Sequence, residues 1–598
     1  MLTRRLRLIA ATSVPALFLL GATALGSPAE ARKPPGPKPP LTGHLISFND
    51  FHGNIDAPTG SGGLVNGTPA GGVEYLAHWV KELRAADQAD SPYTYTVAAG
   101  DLIGASPLVS AGFHDEPTIE EMNSLGLDAT SVGNHEFDEG VIELLRMQNG
   151  GCHPVDGCQD GDGFSGADFP YLAANVVYKS NHEPILAPFT IKHVGKVAVA
   201  FVGMTLEGTP SIVNPSGIQA VDFLDEAETA NQYADILEED FGVKSLVLLL
   251  HEGGQQNPPP TPSDPSGCAN FSGALTDIVS HLDPAYGIVV SGHTHRPYVC
   301  NLPNASGGTS LATGAGSFGT ILTDITFKVD QQSKMFVSAS ASNIVVENGV
   351  RNPDGTWQRD ASGNFVRNPA LVDPGAKVIA DKYRTAIAPI ANAVIGSISG
   401  NITRTANAAG ESALGDVIAD GMVEYTSTLG APQLALMNPG GIRADLTYAN
   451  SPGGEPPGDV TFGECFTVQP FNNLVVAKTI TGAQLKEVLE QQWAGYLGQT
   501  TTKFLQVSAG FHYSYDTTFP LGSRVVSMTV NGVPVDPAAN YRIATNDFLS
   551  NGGDGFTRLI PGTDVQIAPK FDVDSLVAYI GGNSPLPPGP MNRITRLA

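Results

Sequence analysis

Short apolar runs recur along this chain, and most of them end in a polar motif. The runs at 44–48, 95–99, 245–250 and 287–290 have the length and composition of buried strands, and a further run at 197–202 predicts a strand that no motif follows. Between them, helical spacing at 74–86, 118–125 and 227–240 predicts helices. Strands alternating with helices are the pattern of a layered α/β domain with crossover connections, expected here over 43–372. Val378, Ile379, Tyr383 and Ile387 then recur at helical spacing, so a connector helix is expected within 373–393. A strand-like run at 394–398 opens a second, α+β domain over 394–594, in which no fixed-period repeat is evident.

The N-terminus changes the setting. Arg4, Arg5 and Arg7 precede an apolar stretch at 8–25 and the small-x-small site Ala29-Glu30-Ala31, so 1–31 reads as a secretory signal peptide. A membrane span needs about 20 apolar residues, and Pro15 with several small residues interrupts this stretch. The Pro- and Lys-rich segment within 32–42 reads as an extended tether. No other segment is apolar and long enough to span a bilayer, and the end at Ala598 lacks a hydrophobic tail. A secreted protein, extracellular or periplasmic and without a stable membrane anchor, is therefore expected. Cys152 with Cys158 and Cys268 with Cys300 read as two disulfides in such a setting, leaving Cys465 over; spacing alone leaves other pairings open.

Formal charge is −26, and loss of three Arg and one Glu with residues 1–31 takes it to −28. That argues against a nucleic acid polymer as partner, but a concentrated cationic site can still hold a small anion, because salt screens the diffuse acidic surface within about 8 to 10 Å.

Seven metal-capable side chains supply such a site: Asp50 and His52 in SFNDFHGN, Asp101 in AAGDLIGASP, Asn134 in SVGNHEFDEG, His251 in LVLLLHEGG, and His293 and His295 in VVSGHTHRPY. Nearly all follow expected strands, where loops from distant parts of a chain converge. The pairs Asp50/His52 and His293/His295 are two residues apart, which in extended backbone points both side chains the same way. Carboxylate, imidazole and amide oxygen without thiolate suit zinc or manganese in an open, catalytic centre. Seven ligands exceed one tetrahedral ion but fit two ions sharing a carboxylate, with Asp101 the candidate bridge. Two divalent ions against Asp50 and Asp101 leave about +2, attractive to phosphate. His135 with Asp138 three residues on can stabilise transition-state charge or protonate a leaving oxygen.

In this order, the motifs resemble the secreted 5'-nucleotidase family of calcineurin-like metallophosphatases, across both expected domains. The resemblance implies an N-terminal four-layer αββα metallophosphatase domain, a β-sandwich flanked by helices, with a second α+β domain that binds the nucleoside. It implies one metal at Asp50, His52, Asp101 and His295, a second at Asp101, Asn134, His251 and His293, and a catalytic dyad of His135 and Asp138. In the second domain, NPGGIR at 438–443, Pro470-Phe471 and NDFLSNGGDGF at 546–556 carry the match. By resemblance Phe471 and Phe548 sandwich the base, Asp554 holds ribose hydroxyls, and Asn438 and Arg443 contact ribose or phosphate. One departure stands out: the family's additional phosphate-binding Arg before the segment ESALGD at 411–416 is absent from 407–410, with Arg404 the nearest cation.

The expected function is an exported phosphohydrolase with two divalent metal ions that converts nucleoside 5'-monophosphates to nucleosides and phosphate by attack of metal-activated water. The same centre suits 2',3'-cyclic nucleotides, 3'-nucleotides or nucleotide-sugar diphosphates such as UDP-sugars. A surface-binding protein that no longer turns over is the non-enzymatic alternative.

Overall fold

The computed structural model describes residues 38–598 apart from 59, 160, 162, 258–262 and 361–362. The expected signal peptide lies outside the described residues. Two six-stranded sheets dominate the N-terminal part. The first runs in the order Phe336–Val345, Ile321–Val329, Leu41–Phe48, Thr94–Ala99, Ala129–Ser131, Tyr171–Leu172. The second runs Pro297–Pro303, Thr309–Ala315, Tyr286–Ser291, Leu246–His251, Val197–Thr205, Phe189–Val194. Parallel pairing joins the central strands of each, so their C-terminal ends share one edge.

Strand residues alternate between two cores because successive side chains point to opposite faces. Leu45, Val97, Val247, Leu249, Ile288 and Val290 fill the space between the sheets. Ile46 and Phe48 turn outward to the helices Val73–Asp90 and Glu116–Leu125, while Leu248 and Leu250 turn outward to Glu226–Phe241 and Ala274–His281. The result is helix, sheet, sheet, helix: an αββα sandwich.

The first strand begins at Leu41 rather than Gly43, shortening the expected tether. Leu41 and Thr42 pair with Val329 and Lys328, and the Pro residues before them, which lack a backbone donor, mark where pairing starts. The helix Pro374–Ala391 starts on Asp373, whose side chain accepts from the Gly375 and Ala376 amides. Tyr383 and Ile387 face the core as their spacing predicts, whereas Val378 is 71% exposed. Beyond it lie a five-stranded sheet ordered Gln506–Val507, Leu434–Met437, Asn540–Asn546, Leu474–Thr481, Thr563–Phe571, and a four-stranded sheet closed by Ile594–Arg596. That last strand carries regular structure two residues past the expected end at Ile594. The pairs Cys152–Cys158 and Cys268–Cys300 are bonded, and Cys465 is a buried free thiol whose titration burial pushes up. Among the described residues no helix is long and apolar enough to cross a membrane.

Candidate metal centre and substrate face

All seven metal-capable side chains meet at the shared strand edge. The local backbone differs from expectation: Asp50, His52, Asp101, His293 and His295 have φ of 50°, 49°, 50°, 67° and 56°. The side-chain pairs therefore converge through left-handed turns just past the strands, not through extended backbone. Such conformations cost about 1 to 3 kcal/mol each, and surrounding hydrogen bonds hold them. Asp50 N donates to Gly100 O and His52 N to Asp101 O, at 3.1 and 3.0 Å. The His293 amide donates to both Asp50 carboxylate oxygens at 3.1 and 3.0 Å. Asn49 Nδ2 reaches Asp50 Oδ2 at 2.5 Å and Gly316 O at 2.7 Å, locking the carboxylate.

Two groups share Asp101. In one, His295 Nε2 lies 3.2 Å from Asp50 Oδ1 and 3.1 Å from His52 Nε2, which is 3.6 Å from Asp101 Oδ2. In the other, His251 Nε2 lies 3.0 Å from the same Asp101 Oδ2 and 3.2 Å from Asn134 Oδ1, with His293 Nδ1 3.0 Å from that amide oxygen. The outer ring nitrogens set the tautomers. His52 Nδ1 faces Gly104 O and His251 Nδ1 faces Ala99 O, both at 2.8 Å, so these nitrogens donate and each Nε2 turns a lone pair inward. Gly104 has φ 81°, which a side chain resists.

This donor set fits divalent cations. His251 Nε2, Asp101 Oδ2 and Asn134 Oδ1 are three acceptors converging on one point, and Asp50, Asp101 and His251 are 0–1% exposed. Left to the protein's own charges, His251 becomes the cation: burial opposes its charge, but Asp101 lifts it to about 10. Burial works against ionised Asp101 too, yet His251 and its neighbours hold that carboxyl well below its usual range. Burial instead keeps His52 neutral, down to about 3, and His293 to about 4.

His135 stands beside this pocket on the short turn His135–Phe137, its Nδ1 2.8 Å from Asp138 Oδ2 and its amide donating to Asp101 Oδ1 at 2.9 Å. Burial opposes its charge, but Asp138 and Asp101 raise its pKa. Glu136, inconspicuous in sequence beside the ligand-type Asn134, pins the loops together. It accepts from the amides of Asp101, Leu102 and Gly133 at 2.9, 2.8 and 2.6 Å.

Of the candidate substrate residues, Phe471 with Arg443 reaches this pocket from the C-terminal part. Phe471 stacks on His135 with ring centroids 5.7 Å apart at 16°, and Arg443 lies 5.6 Å over Phe471. Asn438 Nδ2 donates to Asp554 Oδ2 at 2.8 Å, and Lys503 Nζ, which no sequence motif singles out, donates to Asp554 Oδ1 at 2.5 Å. Phe548 lies over Gly553, where a Cβ would come within 2.5 Å of its ring. A cavity of about 320 Å³ opens among Arg404, Arg443, Lys503, Ser412 and Gln506; its aromatic wall is Phe504 rather than Phe471 or Phe548. Arg404 enters this cavity with one arm donating to the Arg443 carbonyl at 2.5 Å. It thus lines the cavity together with Arg443, close in space to the segment that lacks the extra Arg.

The chain is similar to known proteins over both parts. The calcineurin-like phosphoesterase family model matches residues 44–297, and the 5'-nucleotidase C-terminal domain model matches 394–559. The chain belongs to the 5'-nucleotidase family. This is a family of metal-dependent phosphoester hydrolases. A 5'-nucleotidase precursor from Thermus thermophilus superposes with a TM-score of 0.70 at 25% identity, covering 93% of this chain and 99% of that one. Endonuclease YhcR of Bacillus subtilis is 30% identical over 89% of this chain and 39% of its own length. Cell wall protein Lmo0130 of Listeria monocytogenes is 30% identical over 90% of this chain and 66% of its own. The chain thus spans under two thirds of either of these two curated relatives.

Proposed function

We propose that this 5'-nucleotidase family member acts outside the cell and hydrolyses nucleoside 5'-monophosphates to nucleosides and phosphate. The reading assigns the reaction to 43–372 and the choice of substrate to 394–594. The observation that carries it is the stacking of Phe471 on His135, which brings a nucleobase-sized aromatic surface and the Arg443 cation against the candidate dyad. Asn214 Nδ2 donating to Asp547 Oδ2 at 3.0 Å, next to Phe548, ties the two parts together in support.

Asp50, His52, His295 and Asp101 would hold one divalent ion, zinc or manganese, and Asp101, Asn134, His251 and His293 the other. When bound, such a pair polarises the phosphoryl group and lowers the pKa of water from 15.7 to about 7. The chain's own groups do the rest. Asp138 fixes the His135 tautomer, leaving Nε2 to donate to the leaving ribose oxygen as an imidazolium. Asn438 and Asp554, each already braced by a hydrogen bond, present polar atoms to ribose hydroxyls. Phe471 and Phe548 provide apolar faces for a base, a contact that tolerates base identity.

The three cations around the 320 Å³ cavity favour a second reading in which the substrate carries a further phosphate, as a nucleotide-sugar diphosphate does. Among the relatives is one named trifunctional nucleotide phosphoesterase protein YfkN, from Bacillus subtilis, 26% identical over 79% of this chain. Export is supported by the two disulfides and by the cell-wall relative.

A substrate panel on the purified chain with zinc or manganese, read as phosphate, nucleoside and nucleotide products, tests the proposal. Nucleoside 5'-monophosphates should be the fastest substrates, with activity lost on chelation and recovered on metal return. A tenfold preference for UDP-sugars would replace the reading with the second one, and a tenfold preference for 2',3'-cyclic nucleotides or 3'-nucleotides would overturn both.

A further inference from the structure

At the opposite end of the first sheet from the catalytic edge, three elements bring a second set of ligating groups together. His44 lies six residues before Asp50, on the strand that leads to it, roughly 20 Å away at about 3.3 Å per residue. Asp87 and Asp90 come from the last turn of the helix Val73–Asp90. Asp324 comes from the neighbouring strand, where it pairs with Ile46 while Thr326 pairs with His44.

Ligand atoms of His44, Asp87 and Asp324 all lie within 4.8 Å of one another. His44 Nε2 is 3.2 Å from Asp90 Oδ2, and its Nδ1 faces Asp87 Oδ1 at 3.5 Å and the Thr326 hydroxyl at 3.3 Å. With the Nε2 proton donated to Asp90, Nδ1 keeps its lone pair beside the Asp87 and Asp324 carboxylates, where a cation would displace the Thr326 hydroxyl as its partner. This is the carboxylate–histidine arrangement that orients an imidazole toward a metal. A second observation sets the cluster apart from ordinary acidic surface. Asp87 is only 8% exposed, yet its Oδ2 has no hydrogen-bond partner, and the same holds for the buried Asp324 Oδ1. Among the described residues neither carboxylate pairs with Lys or Arg. Buried carboxylate oxygens without donors are costly unless a cation meets them.

We propose that His44, Asp87 and Asp324 form a further divalent-cation site, separate from the catalytic centre, that fastens the C-terminal end of the helix Val73–Asp90 to the first sheet. One imidazole and two carboxylates neutralise a +2 ion and suit zinc or manganese, as at the catalytic centre. The site is structural: it closes three elements that the core already brings together, and Asp90 positions His44 rather than ligating.

Two measurements test it on the full chain. Metal analysis of the wild type and of the near-isosteric D87N/D324N variant, after dialysis against trace zinc or manganese, should show one equivalent fewer in the variant, with turnover at saturating metal unchanged within twofold. Equal metal content overturns the proposal. Should that variant fail to fold, crystals of the wild type soaked in manganese decide instead. An anomalous peak bounded by His44, Asp87 and Asp324 is expected, and its absence while the catalytic centre is filled contradicts the site.

Discussion

Asp50, Asp101 and His251 are 0–1% exposed and held by backbone amides and carbonyls, whereas Phe471 and Phe548 opposite them are half-buried and Arg404 is exposed. In the candidate metal centre, five side chains sit on left-handed turns whose strain a closed hydrogen-bond network sustains. On the candidate substrate face, the contacts are ring faces and cations that a ligand could rearrange. The first arrangement should therefore lose most when any member is substituted, while the second should be retunable one residue at a time.

Asp101→Ala is the hardest test of that contrast. Even partners one step removed from a metal cost about 10- to 100-fold, so loss of the shared carboxylate should lower kcat/KM by more than about 100-fold, with metal content falling in the same sample. Next, His135→Ala should keep both ions and lose about 10²- to 10⁴-fold in kcat; metal analysis beside steady-state kinetics separates it from Asp101→Ala. Glu136→Gln follows. The new amide would point donors at the Asp101, Leu102 and Gly133 amides, and about 10- to 100-fold in metal affinity or activity should be lost. Unchanged metal affinity and activity would show that the buried side tolerates more than its geometry implies.

The smallest effect is at the rim. His114 is held between Glu139 and Asp156 at 2.9 Å each; burial opposes its charge, but these carboxylates raise its pKa from 6.5 to about 9. Its folded pKa lies above the unfolded one, so its contribution is complete below pH 6.5 and disappears as pH rises through about 9. The Tm difference between wild type and His114→Gln should shrink over that window with turnover little changed; a constant difference would assign His114 a packing role.

The chemistry was legible where local sequence carries it. The apolar runs at 44–48, 95–99, 245–250 and 287–290 announce strands, and the polar residues just beyond them announce a cluster of metal-capable groups, because burial and donor chemistry are both written in residue type. What escaped was set by tertiary geometry. Nothing local distinguishes the left-handed Asp50 and His52 from extended residues. Glu136 resembles any acid beside a ligand until its three amide donors are seen. Lys503 reaches Asp554 across 51 residues, and Asp87 meets Asp324 only after the helix and sheet assemble.

On the proposed reading, the buried pocket performs the reaction while the half-exposed face chooses the substrate. Comparing Phe471→Ala with the wild type on AMP and on a small aryl phosphate tests it most directly. Loss of a base-stacking ring costs about 1 to 3 kcal/mol, so kcat/KM for AMP should fall about 5- to 150-fold while the aryl phosphate stays within about twofold. Equal losses on both substrates would contradict the account, by making Phe471 part of the catalytic pocket's own structure through its stacking on His135.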